Sequence, residues 1–147
     1  MAIYQHILIA ADFSQHNQQV LQRAHQLAQQ HDATLSICHV IEDYPITDFA
    51  YEPMIGVDLD MRDSMLQSAK SQIAKLAQQL TIGTDNQWVE FGSTRHDIVR
   101  IADENNVDLI VIGSHGRHGI QLLLGSTANA VLHHAHCDVL AVRLQDN

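Results

Sequence analysis

The chain has 147 residues, of which 46% are hydrophobic and 17% are charged, and its formal net charge is −9 with the histidines neutral. This length and composition are typical of a globular domain with a substantial core, so we expect residues 1–147 to form a single domain. The excess of carboxylates argues against a nucleic-acid partner, which a basic surface would attract. It leaves a nucleotide ligand open, because backbone N–H groups and a helix N-terminus hold phosphate without net positive charge.

The two cysteines and the start of the chain indicate the compartment. Cys38 and Cys137 lie in apolar runs, and we interpret them as buried free thiols of a reducing environment rather than as a disulfide pair. The first residues, MAIYQHILIAADFS, lack the basic region and long apolar stretch of a signal peptide. No apolar run reaches the length of a membrane span. The sequence therefore predicts a cytoplasmic protein.

The first half of the chain alternates apolar runs with amphipathic stretches. The runs HILIAA and ATLSICHV predict buried strands over 6–11 and 33–40, and the glutamine-rich stretch between them predicts a helix over 14–31. Residues 42–59 contain both prolines and several acids, and we interpret them as an irregular excursion. A second amphipathic helix is predicted over 60–80, with an inward face formed by Met61, Met65, Ala69, Ile73, Leu76 and Leu80.

The second half continues the alternation. The run NQWVEF predicts a strand over 86–91, and a helix is predicted over 94–105. That helix begins with a capping-box pattern, in which Thr94 is the expected cap and Asp97 the residue that reaches back to it. The remaining strand, helix and strand are predicted over 108–113, 126–135 and 138–143.

This order of elements predicts an α/β fold. Strands that alternate with helices form a parallel sheet through right-handed crossovers, so we expect an open five-stranded parallel sheet of Rossmann-like type with helices on both faces. The first strand is expected to be central, next to the fourth. Ligands of such sheets bind beyond the carboxyl ends of the strands where the strand order switches direction. Asp12 and the glycine-rich segment 113–116 follow the first and fourth strands, and we expect them to face one cleft.

The segment from 112 to 127, IGSHGRHGIQLLLGST, has the chemistry of an anion site. Gly113 and Gly116 let a ligand approach the main chain, and residues 125–127 begin a helix whose first N–H groups have no partner within it. The same small residues also suit a plain helix cap, and both interpretations stay open. Other phosphate sites do not match, because the segment has no G-K-S/T and no G-x-G-x-x-G follows the first strand. The acidic cluster of a receiver domain is also missing.

Nearly the whole chain resembles the universal stress protein family. The resemblance includes HILIAADFS, the His39-Val40 pair that closes the second strand, VDLIVIGSHGRHG and LLLGSTANAVLHHAHCDVLAVR. The ATP-binding branch of that family carries G-x2-G-x9-G-S/T, and the fixed positions are filled here by Gly113, Gly116, Gly125 and Ser126. The chain departs from the pattern in one respect, since eight residues rather than nine separate the second glycine from the third. This departure bears on the triphosphate end more than on the adenosine end.

The resemblance implies an adenine-nucleotide site at the ends of strands one and four. In the adenosine half, Ala10 and Ala11 are expected to line the adenine, and Val40 to offer its main chain to the adenine edge. Ile112 and Gly113 are expected to close on the ribose.

In the phosphate half, the resemblance places Asp12 near the ribose and phosphates, although the same carboxylate also suits a cap on the first helix. Arg117 is expected to reach an outer phosphate. His115 would strengthen phosphate binding when protonated, although loop histidines are often simply solvated. Mg²⁺ is a candidate bridging ion. The residues expected to hold phosphate oxygens are Gly116, Gly125, Ser126 and Thr127.

Eleven histidines raise the question of a metal site. In HHAH, residues 133–136, helical spacing places His133 and His136 on one face and His134 on another. Because Cys137, the neighbouring candidate ligand, is predicted to lie on the following strand, we expect no metal site. His6 and His39 lie on predicted strands and are expected to be hydrogen-bonded structural residues.

The sequence therefore favours a cytoplasmic universal stress protein that binds ATP, ADP or AMP and regulates a stress response. Two alternatives stay open: a nucleotide-free dimeric interaction module of the same fold, and a slow ATPase, for which His115 is the first candidate. Because no positioned base is evident, no catalytic residue is assigned and an enzyme is not expected. The apolar edge strand at 138–144 is expected to pair with its twin in a homodimer.

Overall fold

The computed structural model describes residues 3–42, 55–114 and 124–145. Strands and helices alternate along these ranges, and a short 3₁₀ turn at Thr84–Asn86 precedes the third strand. The elements are β1 His6–Ala10, α1 Asn17–His31, β2 Thr34–Glu42, α2 Ile55–Gln79, β3 Gln87–Gly92, α3 Thr94–Glu104, β4 Leu109–Gly113, α4 Ser126–His134 and β5 Asp138–Val142.

The five strands form one parallel sheet in the order β3-β2-β1-β4-β5. Ile9 of β1 lies opposite Ile37 on one side and Val111 on the other, so β1 is the central strand. The predicted α/β fold is confirmed. The chain adds strands on one side of β1 and then continues on the other, so the strand order switches direction between β1 and β4, where this fold forms its ligand crevice.

The core has two layers because β1 is covered on both faces. Ile7 and Ile9 pack with α1 and α2, whereas Leu8 and Ala10 pack with α3 and α4. Ile7, Leu8 and Ile9 are completely buried, which explains why the strand reads as a continuous apolar run rather than an alternating one. Each such side chain contributes about 1.5–3 kcal/mol through removal of apolar surface from water.

Helix α2 differs from the prediction in its start and in its buried face. It begins at Ile55, so the last five residues of the predicted excursion are helical; residues 43–54 lie outside the described ranges. Met61 and Met65 are 57% and 46% exposed, and their predicted core positions are wrong. Arg62 is turned inward instead, with its guanidinium carbon 4.2 Å from the centre of the Phe91 ring. This cation–π contact joins the first half of the helix to β3. The arginine therefore faces inward there, and the methionines do not.

The inward face of α2 is otherwise close to the expected one. Ala69, Ile73 and Ala77 are buried at four-residue spacing, and Leu76 and Leu80 pack partly against them. Although α2 has 25 residues, neither it nor another helix in the described ranges is apolar enough over sufficient length to cross a bilayer.

One helix start and one helix cap differ from their predicted positions. Helix α1 begins three residues late, because Ser14 starts a turn in which its carbonyl accepts the Asn17 N–H at 3.1 Å. The cap of α3 is Ser93 rather than Thr94, and the Ser93 N–H donates to the Asp97 carboxylate at 2.8 Å. Gly92 makes room for this arrangement, since a Cβ there would lie 2.0 Å from Asp97 Oδ2.

Candidate functional site

The floor of the crevice is formed where β1 and β4 end side by side. Ala10 lies opposite Ile112, so the residues that follow each strand leave the sheet at the same edge. Ala10, Ala11 and Ile112 are buried, with exposed fractions of 8%, 7% and 6%. The structure therefore brings together the adenosine-side residues predicted on these two strands, including Gly113 at the end of β4.

Asp12 lies in the turn that follows β1. Its Oδ1 accepts the Ser14 N–H at 2.9 Å, and its side chain is half-buried. The carboxylate thus caps the turn before α1 and not the helix, which begins only at Asn17. No ion pair involving Asp12 is found within the described ranges, so its negative charge stays uncompensated by a cation there.

Phe13 and His39 form a contact that sequence reasoning missed. The rings lie 4.1 Å apart between centroids, tilted by 32°, and His39 Nδ1 donates to the Ala11 carbonyl at 2.7 Å. His39 is thus a hydrogen-bonded structural residue, as predicted. Phe13 has φ 61°, a left-handed conformation that is uncommon outside glycine and asparagine. The sequence DFS does not predict this conformation, because it is stabilised by the contact between Phe13 and His39 of β2.

Val40 presents its main chain toward the crevice. The Cys38 carbonyl accepts the Ala11 N–H at 2.9 Å, so the polar groups of Cys38 point toward β1. Because a strand alternates the side to which its N–H and C=O point, those of Val40 point the same way, past the end of β1. Its side chain is buried between the sheet and α3. A ligand beside β1 would therefore meet the Val40 main chain.

The fourth strand and the last helix are joined directly at the crevice. The Gly125 N–H donates to the Ser114 carbonyl at 2.6 Å, and the Ser114 N–H donates to the Val142 carbonyl at 2.8 Å. The segments 113–114 and 124–125 therefore lie next to each other. Gly125 uses its N–H within the protein, so the N–H groups left without a partner inside α4 are those of 126–128.

The first turns of α3 and α4 meet through their threonines. Thr94 Oγ1 and Thr127 Oγ1 are 3.2 Å apart. Thr94 also donates through its N–H to Glu42 Oε1 at 3.2 Å, and its hydroxyl hydrogen-bonds the same oxygen. Glu42 is the last residue of β2, which extends two residues beyond the predicted end. Neither Glu42 nor Thr94 was predicted at the site, because they are distant in sequence from its motif.

The rest of the predicted phosphate loop lies outside the described ranges. This applies to His115, Gly116 and Arg117, and to the shortened stretch before Gly125. Of the phosphate residues that are described, Ser126 is exposed and Thr127 is half-buried, both in the first turn of α4.

The histidine-rich end of α4 is arranged differently from the prediction. The helix ends at His134, so His136 does not share its face with His133. The fold supplies an acid that the sequence does not show, since His136 Nδ1 lies 2.8 Å from Asp103 Oδ2. Within the part of the chain that is described, no three metal-ligating side chains come together.

A second concavity lies at the opposite edge of the sheet, between the C-terminal ends of α1 and α2. Its volume is about 380 Å³, and it includes Asp32 and Thr81, both with positive φ. It is remote from the strand ends that carry the site motif, and we assign it no part in that site.

Comparison with known proteins agrees with the fold and the motif. The sequence model of the universal stress protein family matches residues 3–143. Two curated relatives from Coxiella burnetii, universal stress protein A homologs 2 and 1, are 44% and 38% identical over 143 residues. The match covers 97% of this chain in both cases, and 97% and 99% of the relatives.

Solved structures show the same architecture. Universal stress protein UspA from Lactobacillus plantarum superposes with a TM-score of 0.82 at 28% identity, covering 97% of this chain and 100% of that one. A universal stress protein solved in complex with cAMP superposes with a TM-score of 0.61 at 25% identity, covering 95% and 96%. The chain belongs to the universal stress protein family.

Proposed function

We propose that this chain binds an adenine nucleotide at the carboxyl ends of β1 and β4, and that it acts as a cytoplasmic regulator in a stress response. The whole chain, 1–147, would form one nucleotide-binding domain. The observation that carries the proposal is the hydrogen bond from the Gly125 N–H to the Ser114 carbonyl. This bond supports the proposal because it joins the N-terminus of α4 to the end of β4, the strand beside β1, which Asp12 follows.

The adenosine half of the site would be recognised mainly by main chain. Val40 offers an N–H and a C=O past the end of β1, which suits the donor–acceptor edge of adenine. Ala10, Ala11 and Ile112 give a small apolar floor on which a base can lie. The relative solved with cAMP supports an adenine nucleotide as the ligand class. Asp12 is the side chain best placed to accept a ribose hydroxyl.

The phosphate half would use the first turn of α4. Three N–H groups at 126–128 and the positive end of the helix dipole attract an anion there. Ser126 adds its hydroxyl, and Thr127 contributes its main-chain N–H. His115, Gly116 and Arg117 would complete this half, with Mg²⁺ bridging phosphate oxygens. The proposed role is binding, and no described residue is assigned to catalysis.

Equilibrium dialysis with ATP and AMP in the presence of Mg²⁺ tests the proposal, with GTP as the matched ligand control. We expect retention of both adenine nucleotides and much weaker retention of GTP. Asp12→Asn keeps the oxygen that accepts the Ser14 N–H and removes the charge, so it should weaken nucleotide binding without unfolding the chain. The control Asp85→Asn, in the turn before β3, should bind as wild type. No retention at millimolar adenine nucleotide would contradict the proposal.

We also propose that the chain forms a homodimer through residues 138–144. Strand β5 lies at the edge of the sheet, and its central residues Val139, Leu140 and Ala141 are half-exposed. The Val142 carbonyl points toward β4, so the Ala141 N–H points to the open edge. Ala141→Pro removes that donor alone, and sedimentation should show a dimer for wild type and a monomer for the variant. A monomeric wild type at micromolar concentration would contradict the proposed dimer but not the proposed nucleotide binding.

A further inference from the structure

Glu42 places a negative charge beside the helix that is proposed to hold phosphate. We propose that the Glu42 carboxylate makes nucleotide binding depend on the charge of the ligand's phosphate end, so that each uncompensated phosphate charge weakens binding. A nucleoside monophosphate or a magnesium-complexed triphosphate is then favoured over a free triphosphate. This inference rests on the proposed function and names its ligand specificity.

The hydrogen bonds hold the carboxylate close to α4. Glu42 Oε1 accepts from the main chain and the hydroxyl of Thr94, and that hydroxyl oxygen is 3.2 Å from Thr127 Oγ1. The carboxylate oxygen is therefore within two hydrogen-bond lengths, about 6 Å, of the first turn of α4. The Thr94 hydroxyl has one hydrogen, which it gives to Glu42, so Thr127 must donate its own to Thr94. While this chain of bonds is intact, Thr127 has no hydroxyl hydrogen for a phosphate.

The described ranges contain no cationic partner for Glu42. Within the described ranges, no lysine, arginine or histidine forms an ion pair with it. The chain as a whole also carries a net charge of −9. The Glu42 carboxylate and the overall charge therefore both oppose a polyanion, whereas the N-terminus of α4 attracts it.

The N-terminus of α3 explains why the carboxylate stays in place. A negative side chain is stabilised at a helix N-terminus. Glu42 accepts a hydrogen bond from the Thr94 N–H, which belongs to the first turn of α3. A purely structural cap would stabilise α3 and affect all nucleotides alike. A resident charge would instead discriminate among ligands by their charge. We take about 8 Å as the distance between the Glu42 carboxylate and a phosphate bound at α4. With an effective dielectric constant between 20 and 80, each added negative charge on the ligand then weakens its affinity about two- to thirtyfold.

Isothermal titration calorimetry of the full chain distinguishes these two roles. The ligands are AMP, ATP with EDTA and ATP with excess Mg²⁺. The variant Glu42→Gln retains an oxygen that accepts from Thr94 and removes the charge. Free ATP carries about two more negative charges than AMP or magnesium ATP. We therefore expect Glu42→Gln to strengthen the binding of free ATP at least about fourfold more than the binding of the other two ligands. Asp85→Asn removes the same charge far from the site and should leave all three affinities unchanged.

Each other outcome overturns the inference. An equal shift for all three ligands, or no shift for any, would show that Glu42 acts only as a cap, and nucleotide binding itself would stand. No binding of any ligand by wild type would overturn the proposed function together with this inference. Thermal unfolding checks the folding of Glu42→Gln, and Glu42→Ala serves as a second charge-removing variant if that protein is unstable.

Discussion

The Gly125 N–H and the Ser114 carbonyl are joined by a 2.6 Å hydrogen bond between the end of the fourth strand and the start of the last helix. Ser114 is also bonded to β5, through its own N–H and the Val142 carbonyl. One residue thus ties the edge strand, the central part of the sheet and the N-terminus of α4 together. The position of that helix relative to Asp12 depends on this bond more than on the conformational freedom of glycine.

Substitution of Gly125 by proline tests the role of the bond. Gly125 has φ −62°, which proline adopts, so Gly125→Pro chiefly deletes the N–H donor. The Ser114 carbonyl then loses its partner, and we expect a loss of about 1–2 kcal/mol in the free energy of unfolding, with weaker nucleotide binding. Gly125→Ala keeps the donor and should cost less than half as much. Urea denaturation of both variants measures the difference, and equal losses would show that the bond is not the important feature.

The buried face of α2 predicts contrasting effects of two truncations. Ile73 is 1% exposed, so Ile73→Ala should lower the free energy of unfolding by about 2–4 kcal/mol because it leaves a cavity. Met65 is 46% exposed, and Met65→Ala should change the free energy of unfolding by less than about 0.5 kcal/mol. Chemical denaturation gives both values. A large loss for Met65→Ala would mean that the exposed methionine is covered, for example by a second copy of the chain.

Arg100 and Asp97 predict an acid dependence of stability. Partial burial acts to raise the pKa of Asp97, but the Arg100 guanidinium and the Ser93 N–H outweigh it and hold that pKa below its usual range. A lowered pKa stabilises the fold above the unfolded-state pKa, about 3.9, and the stabilisation is lost as pH falls through the folded value. Asp97→Asn should therefore be less stable than wild type by about 1 kcal/mol at pH 7.

The difference between Asp97→Asn and wild type should shrink as the pH falls toward the lowered pKa of wild-type Asp97. Denaturation at pH 7, 5 and 3 follows this convergence. The same cluster contains Glu90 and Glu104, both paired with Arg100, which have more exposed side chains. Glu104→Gln is the matched control, and at pH 7 it should lose less stability relative to wild type than Asp97→Asn does. A constant difference across the pH range would contradict the electrostatic origin.

The two free thiols should be unreactive in the folded protein. Burial raises the pKa of Cys38 to about 12 and that of Cys137 to about 11. Because only the thiolate is nucleophilic, both should react with a disulfide reagent at pH 8 far more slowly than in urea. The raised pKa values stabilise the fold below the unfolded-state pKa, about 8.5, and this contribution is lost as pH rises through the folded values. Rapid reaction of Cys38 under native conditions would contradict its complete burial.

The elements and their order were predictable because each follows from local periodicity. Continuous apolar runs predicted β1 and β4 as buried strands, and both are central to the sheet. The resemblance of the glycine and hydroxyl pattern after β4 predicted where an anion would bind. The ends of elements were less predictable, because the turn at Ser14 and the cap at Ser93 depend on single hydrogen bonds that compete with equally plausible neighbours.

By itself the sequence determined the alternation of strands and helices, the parallel sheet and the presence of glycine and small hydroxyl residues beside the strand ends. Only the tertiary structure decided which groups meet there. Glu42 and Thr94 are 52 residues apart, and Thr94 and Thr127 are 33 residues apart, yet they form one chain of hydrogen bonds. The periodicity of a segment reports which of its faces is apolar, whereas contacts across such separations depend on the packing of several elements at once.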